Sequence, residues 1–70
     1  MNINIPWEDA PEWAEWAAMD KDGSWWWHRE RPDIFTDCWL SNYAPRHAKN
    51  INIECLGWTT SLTKRPSDKQ

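Results

Sequence analysis

Glycine is almost missing from this chain: Gly23 and Gly57 are the only two in 70 residues. A phosphate-cradling loop needs clustered glycines, so nucleotide binding of that kind is excluded. Cysteine is scarce too, with Cys38 and Cys55 alone, and no Cys-x-x-Cys or His-x-x-x-His spacing occurs. Structural zinc sites draw paired ligands from such spacings, so Cys38, Cys55, His28 and His47 do not read as a zinc set. No metal and no cofactor is expected. No apolar run reaches the length of a membrane span, and none at the start resembles a signal peptide. The expectation is a soluble, cytoplasmic protein with reduced thiols. A Cys38–Cys55 disulfide stays open only if the two lie on neighbouring strands.

Catalytic machinery is equally hard to find. Cys38, Cys55 and scattered Ser and Thr are the nucleophile candidates, with His28 and His47 as bases. Nothing in their spacing suggests a triad, and a domain this small has little room for a pocket of ordinary ligand size. A non-enzyme is expected.

What the chain has in excess is tryptophan: eight, against one Phe and one Tyr. Seventy residues make one domain, near the size at which a single core barely suffices. So short a chain cannot hide every indole, and Trp is the residue most favoured at binding hot spots. Charge is uneven within a net charge of −3. Glu8, Asp9, Glu12, Glu15, Asp20 and Asp22 face only Lys21 in the first third. Arg46, Lys49, Lys64, Arg65 and Lys69 outnumber Glu54 and Asp68 in the last part. A dipolar molecule follows.

The organising stretch is Trp16 to Trp27, in which Asp20-Lys21-Asp22-Gly23 separates two strand-like runs. Asp suits the first position of a type I turn, and Gly23 the left-handed residue of a bulged hairpin. That geometry predicts partners whose numbers sum to 44, so Met19 faces Trp25, Ala18 faces Trp26, Ala17 faces Trp27 and Glu15 faces Arg29. Alternation then divides the side chains. Ala17, Met19, Trp25 and Trp27 form the core face. Trp16, Ala18, Trp26 and His28 form the opposite one, the candidate binding surface.

Around this hairpin the chain reads as an all-β domain, an antiparallel sheet of three or four strands with one or two short helical turns. Residues 1–6 are an arm or an edge strand. A helical turn is expected over 10–14, with a helix running through Ala18 as its competitor. A third strand is expected over Thr36 to Asn42, a basic loop over Asn42 to Asn50, and a fourth strand from Ile51 towards Gly57. Trp58 to Arg65 is one helical turn or an extended tail, and residues 66–70 fray.

Several motifs together resemble the small tryptophan-rich proteins encoded by tailed bacteriophages. They are Ala10-Pro11-Glu12-Trp13-Ala14, Met19-Asp20-x-Asp22-Gly23-x-Trp25-x-Trp27, Pro32, and Trp58 with Ser61-Leu62-x-x-Arg65-Pro66. The resemblance covers roughly Pro6 to Pro66; the Trp25-Trp26-Trp27 triplet and the basic 45–49 stretch depart from it. It implies a viral protein working in the host bacterial cytoplasm, and it transfers no activity. The function expected is non-catalytic binding of a host bacterial protein, either inhibiting a host or defence factor or serving as the trigger of an immunity sensor. The contact residues expected are Trp16, Trp26, His28, Arg29, Arg31, Arg46 and Lys49. The alternative is a single-stranded nucleic-acid module, with a Trp stacking face and the basic loop tracking phosphates.

Overall fold

The computed structural model describes residues 4–53 and 57–66. The first hairpin is its foundation. Strands β1 (Trp16–Met19) and β2 (Trp25–His28) pair antiparallel with Trp16 opposite His28, Ala17 opposite Trp27, Ala18 opposite Trp26 and Met19 opposite Trp25. These four pairs obey the expected register; the fifth expected pair, Glu15 with Arg29, does not form, because the strands end at Trp16 and His28 and Arg29 lies by the Trp13 and Tyr43 rings. The turn explains it: Gly23 N–H donates to the Asp20 carbonyl at 2.9 Å, and Asp20 N–H to the Ser24 carbonyl at 2.8 Å. Gly23 takes φ +92°, the left-handed region open to a residue without Cβ. The Asp22 carboxylate accepts from Ser24 N–H at 2.9 Å and from its hydroxyl at 2.6 Å. These two bonds, the hydroxyl's first, hold Asp22 below the usual carboxylate range.

Four more short strands complete the β structure: β3 (Asp33–Ile34), β4 (Trp39–Leu40), β5 (Arg46–His47) and β6 (Thr63–Lys64). The main sheet runs β5-β2-β1-β6, and β3 with β4 makes a separate two-stranded sheet. All pairings are antiparallel. Single 3₁₀ turns at Trp7–Asp9 and Trp58–Thr60 are the helical elements among the described residues. The chain is therefore all-β, as its turn chemistry and alternation imply.

One face of the main sheet carries the core. Ala17, Met19, Trp25 and Trp27 are buried there with Ile5, Ala14, Ala48 and Ile51, and Trp7, Trp13, Ile53 and Trp58 pack around them. Small residues on β1 leave space for the indoles of β2. Trp7 lies against Trp27, ring centroids 5.4 Å apart, and Trp25 Nε1–H donates to the Ile53 carbonyl at 3.0 Å. Arg65 ties the end of the chain to the beginning. Its Nη1 donates to the Ala14 carbonyl at 2.8 Å and the Pro11 carbonyl at 3.2 Å, and its guanidinium carbon sits 5.7 Å from the Trp7 ring centre.

Several local expectations are corrected. The helical turn lies at Trp7–Asp9, and Pro11 to Ala14 is a simple turn closed by Ala14 N–H on the Pro11 carbonyl at 3.0 Å. Asn4 to Pro6 forms no strand, although Ile5 is buried. The strand expected over Thr36 to Asn42 shrinks to β4, because residues 35–38 form a turn, closed by Phe35 N–H donating to the Cys38 carbonyl at 2.8 Å, that brings Trp39 and Leu40 back against β3. In the stretch read as a fourth strand, Ile51 to Ile53 is irregular and residues 54–56 lie outside the described residues. Its apolar alternation reports packing of Ile51 and Ile53 on the core. The sheet edges go instead to β5, in the segment expected as a basic loop, and to β6 in the tail.

The second hairpin hangs from the first by a few anchors. Trp39 Nε1–H reaches the Met19 carbonyl at 3.1 Å and the Trp58 carbonyl at 3.3 Å. Trp39 N–H donates to Asp20 Oδ1 at 3.0 Å, and Lys21 N–H to the Asp37 carbonyl at 3.0 Å. Partial burial holds the Asp20 carboxyl above its ordinary value, against the opposing pull of that Trp39 N–H. Ser61 seals the junction: its hydroxyl accepts Met19 N–H at 2.8 Å and donates to the Trp58 carbonyl at 2.7 Å.

Candidate functional site

Pairing places Lys64, Trp16 and His28 in one row across the sheet face opposite the core, and Ala18, Trp26 and His47 in the next. Trp16 and Trp26 are half-buried, as suits rings on an outer face. Trp26 is already engaged: its ring stacks at 4.9 Å on His47, and its Nε1–H donates to the Ser24 hydroxyl at 2.9 Å. Trp16 carries two cations, Arg31 at 5.7 Å and Lys64 at 5.8 Å from the ring centre.

His28 departs from its expected place. It is wholly buried, with Nδ1 at 3.1 Å from the Ser41 hydroxyl and Nε2 without a hydrogen-bond partner. Burial disfavours the imidazolium and lowers its pKa to about 4. The reason is tertiary: the chain after β4 brings Ser41 over the row in which His28 stands. His28 therefore presents no surface to a partner, and its neutral ring fastens that segment to the sheet.

Arg29 and Arg31 follow β2, and each lies by aromatic rings. The Arg29 guanidinium carbon lies 5.4 Å from the Trp13 ring centre and 5.3 Å from that of Tyr43. Arg31, whose guanidinium carbon lies by Trp16, also lines a groove of about 430 Å³ on the second hairpin, where Ile34, Phe35 and Leu40 meet Glu30 and Asp33. Ile34 is 49% exposed, Phe35 60%, Leu40 48% and Tyr43 50%, and these are the exposed large hydrophobics among the described residues. All four lie between residues 34 and 43. Sequence reading missed them by taking one strand through Thr36 to Asn42. Two apolar pairs, Ile34-Phe35 and Trp39-Leu40, around polar Thr36-Asp37 are the signal of a short hairpin.

Arg46 and Lys49 stand elsewhere. They line an open groove of about 520 Å³ at the β5 edge, with Trp27, His47, Asn50 and Asp9. The expected contact set thus divides: Trp16 and Arg31 come together, Arg29 lies by Trp13 and Tyr43, Arg46 and Lys49 form a second basic spot, and Trp26 is paired with His47. Trp27 is only 3% exposed, so the second groove offers little ring surface for stacking.

Among the described residues, no group of three or more His, Cys, Asp or Glu side chains is placed to hold a metal ion. Cys38 is a free, half-buried thiol beside the second hairpin's turn. Cys55 lies outside the described residues, and with it the zinc and disulfide readings. No helix among the described residues is long and apolar enough to cross a membrane. No family model matches the chain, and neither the curated proteins nor the solved structures return a match.

Proposed function

We propose that the chain is a non-catalytic binding module that docks on a host bacterial protein through the second hairpin and the arginines beside it. One observation carries this reading: the exposed large apolar side chains of the described residues are gathered on a single ten-residue segment, Ile34 to Tyr43. Scattered exposed apolar residues need no explanation, but Ile34, Phe35 and Leu40 line one groove with charged residues at its margin, and gathered apolar surface with a polar rim is the usual mark of a protein contact. Aromatic and arginine side chains are also those that dominate binding energy. The resemblance to phage-encoded tryptophan-rich proteins supports a bacterial partner and action in the host cytoplasm.

The test is capture from bacterial lysate by the wild type and by a Phe35→Ser, Leu40→Ser double variant. Loss of the captured protein with the fold retained is the expected outcome. Recovery of the same partners by both would refute the proposal.

The basic groove at β5 supports a second reading, single-stranded nucleic-acid binding, on the strength of Arg46, His47 and Lys49 lining one opening. It predicts quenching of tryptophan fluorescence by oligo-dT at about 50 mM salt, reversed as salt rises. No quenching at low salt would remove it.

A further inference from the structure

The arginines beside the hydrophobic hairpin are held in an unusual way. Arg29 rests on Trp13 and Tyr43, Arg31 on Trp16, and Lys64 shares the Trp16 ring. Acids stand close in sequence: Glu15 precedes Trp16, Glu30 lies between the two arginines, and Asp33 follows. Yet among the described residues the only ion pair is Lys21 with Asp37, remote from this cluster. Glu30 instead accepts a hydrogen bond from the Asn42 amide at 3.2 Å. Rings lie beside these cations, and no carboxylate among the described residues forms an ion pair with them.

The guanidinium carbons of Arg29 and Arg31 stand 5.3–5.7 Å from these ring centres, within the range at which a ring attracts a cation. A guanidinium without an ion-pair partner pairs with a carboxylate through two parallel hydrogen bonds. Preorganisation by the rings lowers the entropy lost on pairing. Beside Arg31, the exposed side chains Ile34, Phe35 and Leu40 line a groove with Glu30, Asp33, Ser41 and Asn42. Glu30 and Asp33 interrupt the continuous basic track that a phosphodiester chain needs.

We propose that the ring-held cations Arg29, Arg31 and Lys64 receive the carboxylates of an acidic protein segment, whose apolar side chains seat against Ile34, Phe35 and Leu40. The inference rests on the protein-binding reading above and names the partner's chemistry. Glu30 and Asp33 supply the selection: they turn carboxylates away from the groove itself and towards the ring-held cations.

The experiment titrates the full chain with three probes, an alternating Leu-Glu octapeptide, its Leu-Lys counterpart and oligo-dT, read by tryptophan fluorescence and indole NMR shifts. The Leu-Glu peptide is expected to bind and to move the Trp13 and Trp16 signals. An Arg29→Gln, Arg31→Gln double variant is expected to lose about tenfold in affinity, with Arg→Lys at both positions recovering only part of it. Equal binding of the Leu-Glu and Leu-Lys peptides, or no loss in the glutamine variant, overturns the inference. So does preferential binding of oligo-dT, or no response to the Leu-Glu peptide at about 1 mM, a concentration that detects even weak contacts. Failure here with continued, Phe35-dependent capture from lysate removes the acidic partner and leaves the protein-binding reading intact. Failure of both removes both.

Discussion

The molecule contains two hairpins that use the same motif for opposite ends. In the first, the turn from Asp20 to Ser24 joins two four-residue strands whose inward side chains, Ala17, Met19, Trp25 and Trp27, are buried. In the second, two-residue strands flank Phe35 to Cys38, and of their apolar residues Trp39 alone is buried. The first hairpin has a partner strand on each side, β5 and β6, whereas the second pairs only with itself. A hairpin in mid-sheet gains its stability from both flanks and both faces. One pinned by a single indole and a few turn hydrogen bonds leaves its other side chains available. The difference separates a folding element from a presenting element within the same 70 residues.

The sharpest way to break that comparison is to delete a side chain from each hairpin. Trp25→Ala should cost about 3–5 kcal/mol, as large-to-small changes in a packed core do. That matches the whole stability expected of so small a core, about 3–5 kcal/mol. The variant should lose its cooperative urea transition; survival of that transition would mean that the first hairpin is not the foundation.

Next in size is the latch between the hairpins. The His28 pKa is lowered to about 4 in the folded state, against an ordinary value of 6.5. Between those values the unfolded chain binds the extra proton, so stability rises with pH. The contribution is complete above about pH 6.5, falls as pH drops towards about 4 and levels off below, a total of up to about 3 kcal/mol. Urea midpoints across this range should show the slope in wild type and a flatter profile in His28→Gln. An unchanged profile would show that His28 is not the titrating latch.

The turn of the first hairpin makes a smaller claim. Gly23→Ala meets no atom within 4 Å, so its cost is conformational and comes from the φ of +92° alone. About 1–2 kcal/mol is expected for an L-residue held in that region. A neutral result in denaturant unfolding would contradict the bulged turn.

Least of all should the second hairpin respond. Phe35→Ser is expected to move stability by no more than about 0.5 kcal/mol, as surface changes do, while it weakens partner capture. A loss as large as that of Trp25→Ala would place Phe35 in the fold and erase the distinction.

Both hairpins are written in turn chemistry, but only the first could be read directly. Asp20 and Gly23 admit few backbone solutions, and alternation of small and aromatic residues on either side selects one register. From that register the core face follows, as does the all-β class. The second hairpin lacks a glycine in its turn and has strands of two residues, too short for alternation to declare itself. The Ile51 to Ile53 alternation misled for a related reason: apolar spacing records which side chains are covered, not whether the backbone between them is paired.

The candidate site was legible in part. Trp16, Arg29 and Arg31 could be named because they follow directly from the β1–β2 register, which local chemistry determines. What covers the outer face could not, since it depends on chain that arrives from residues 33–43 and 58–64. That arrival buried His28 beneath Ser41, took Trp39 into the interior through carbonyls of Met19 and Trp58, and left Ile34, Phe35 and Leu40 in the open. By itself the sequence determined the turn, the register and the identity of the core face, because those rest on neighbours within a dozen residues. Tertiary structure alone decided which apolar side chains stay exposed, because burial is a property of distant segments meeting and no local pattern encodes it.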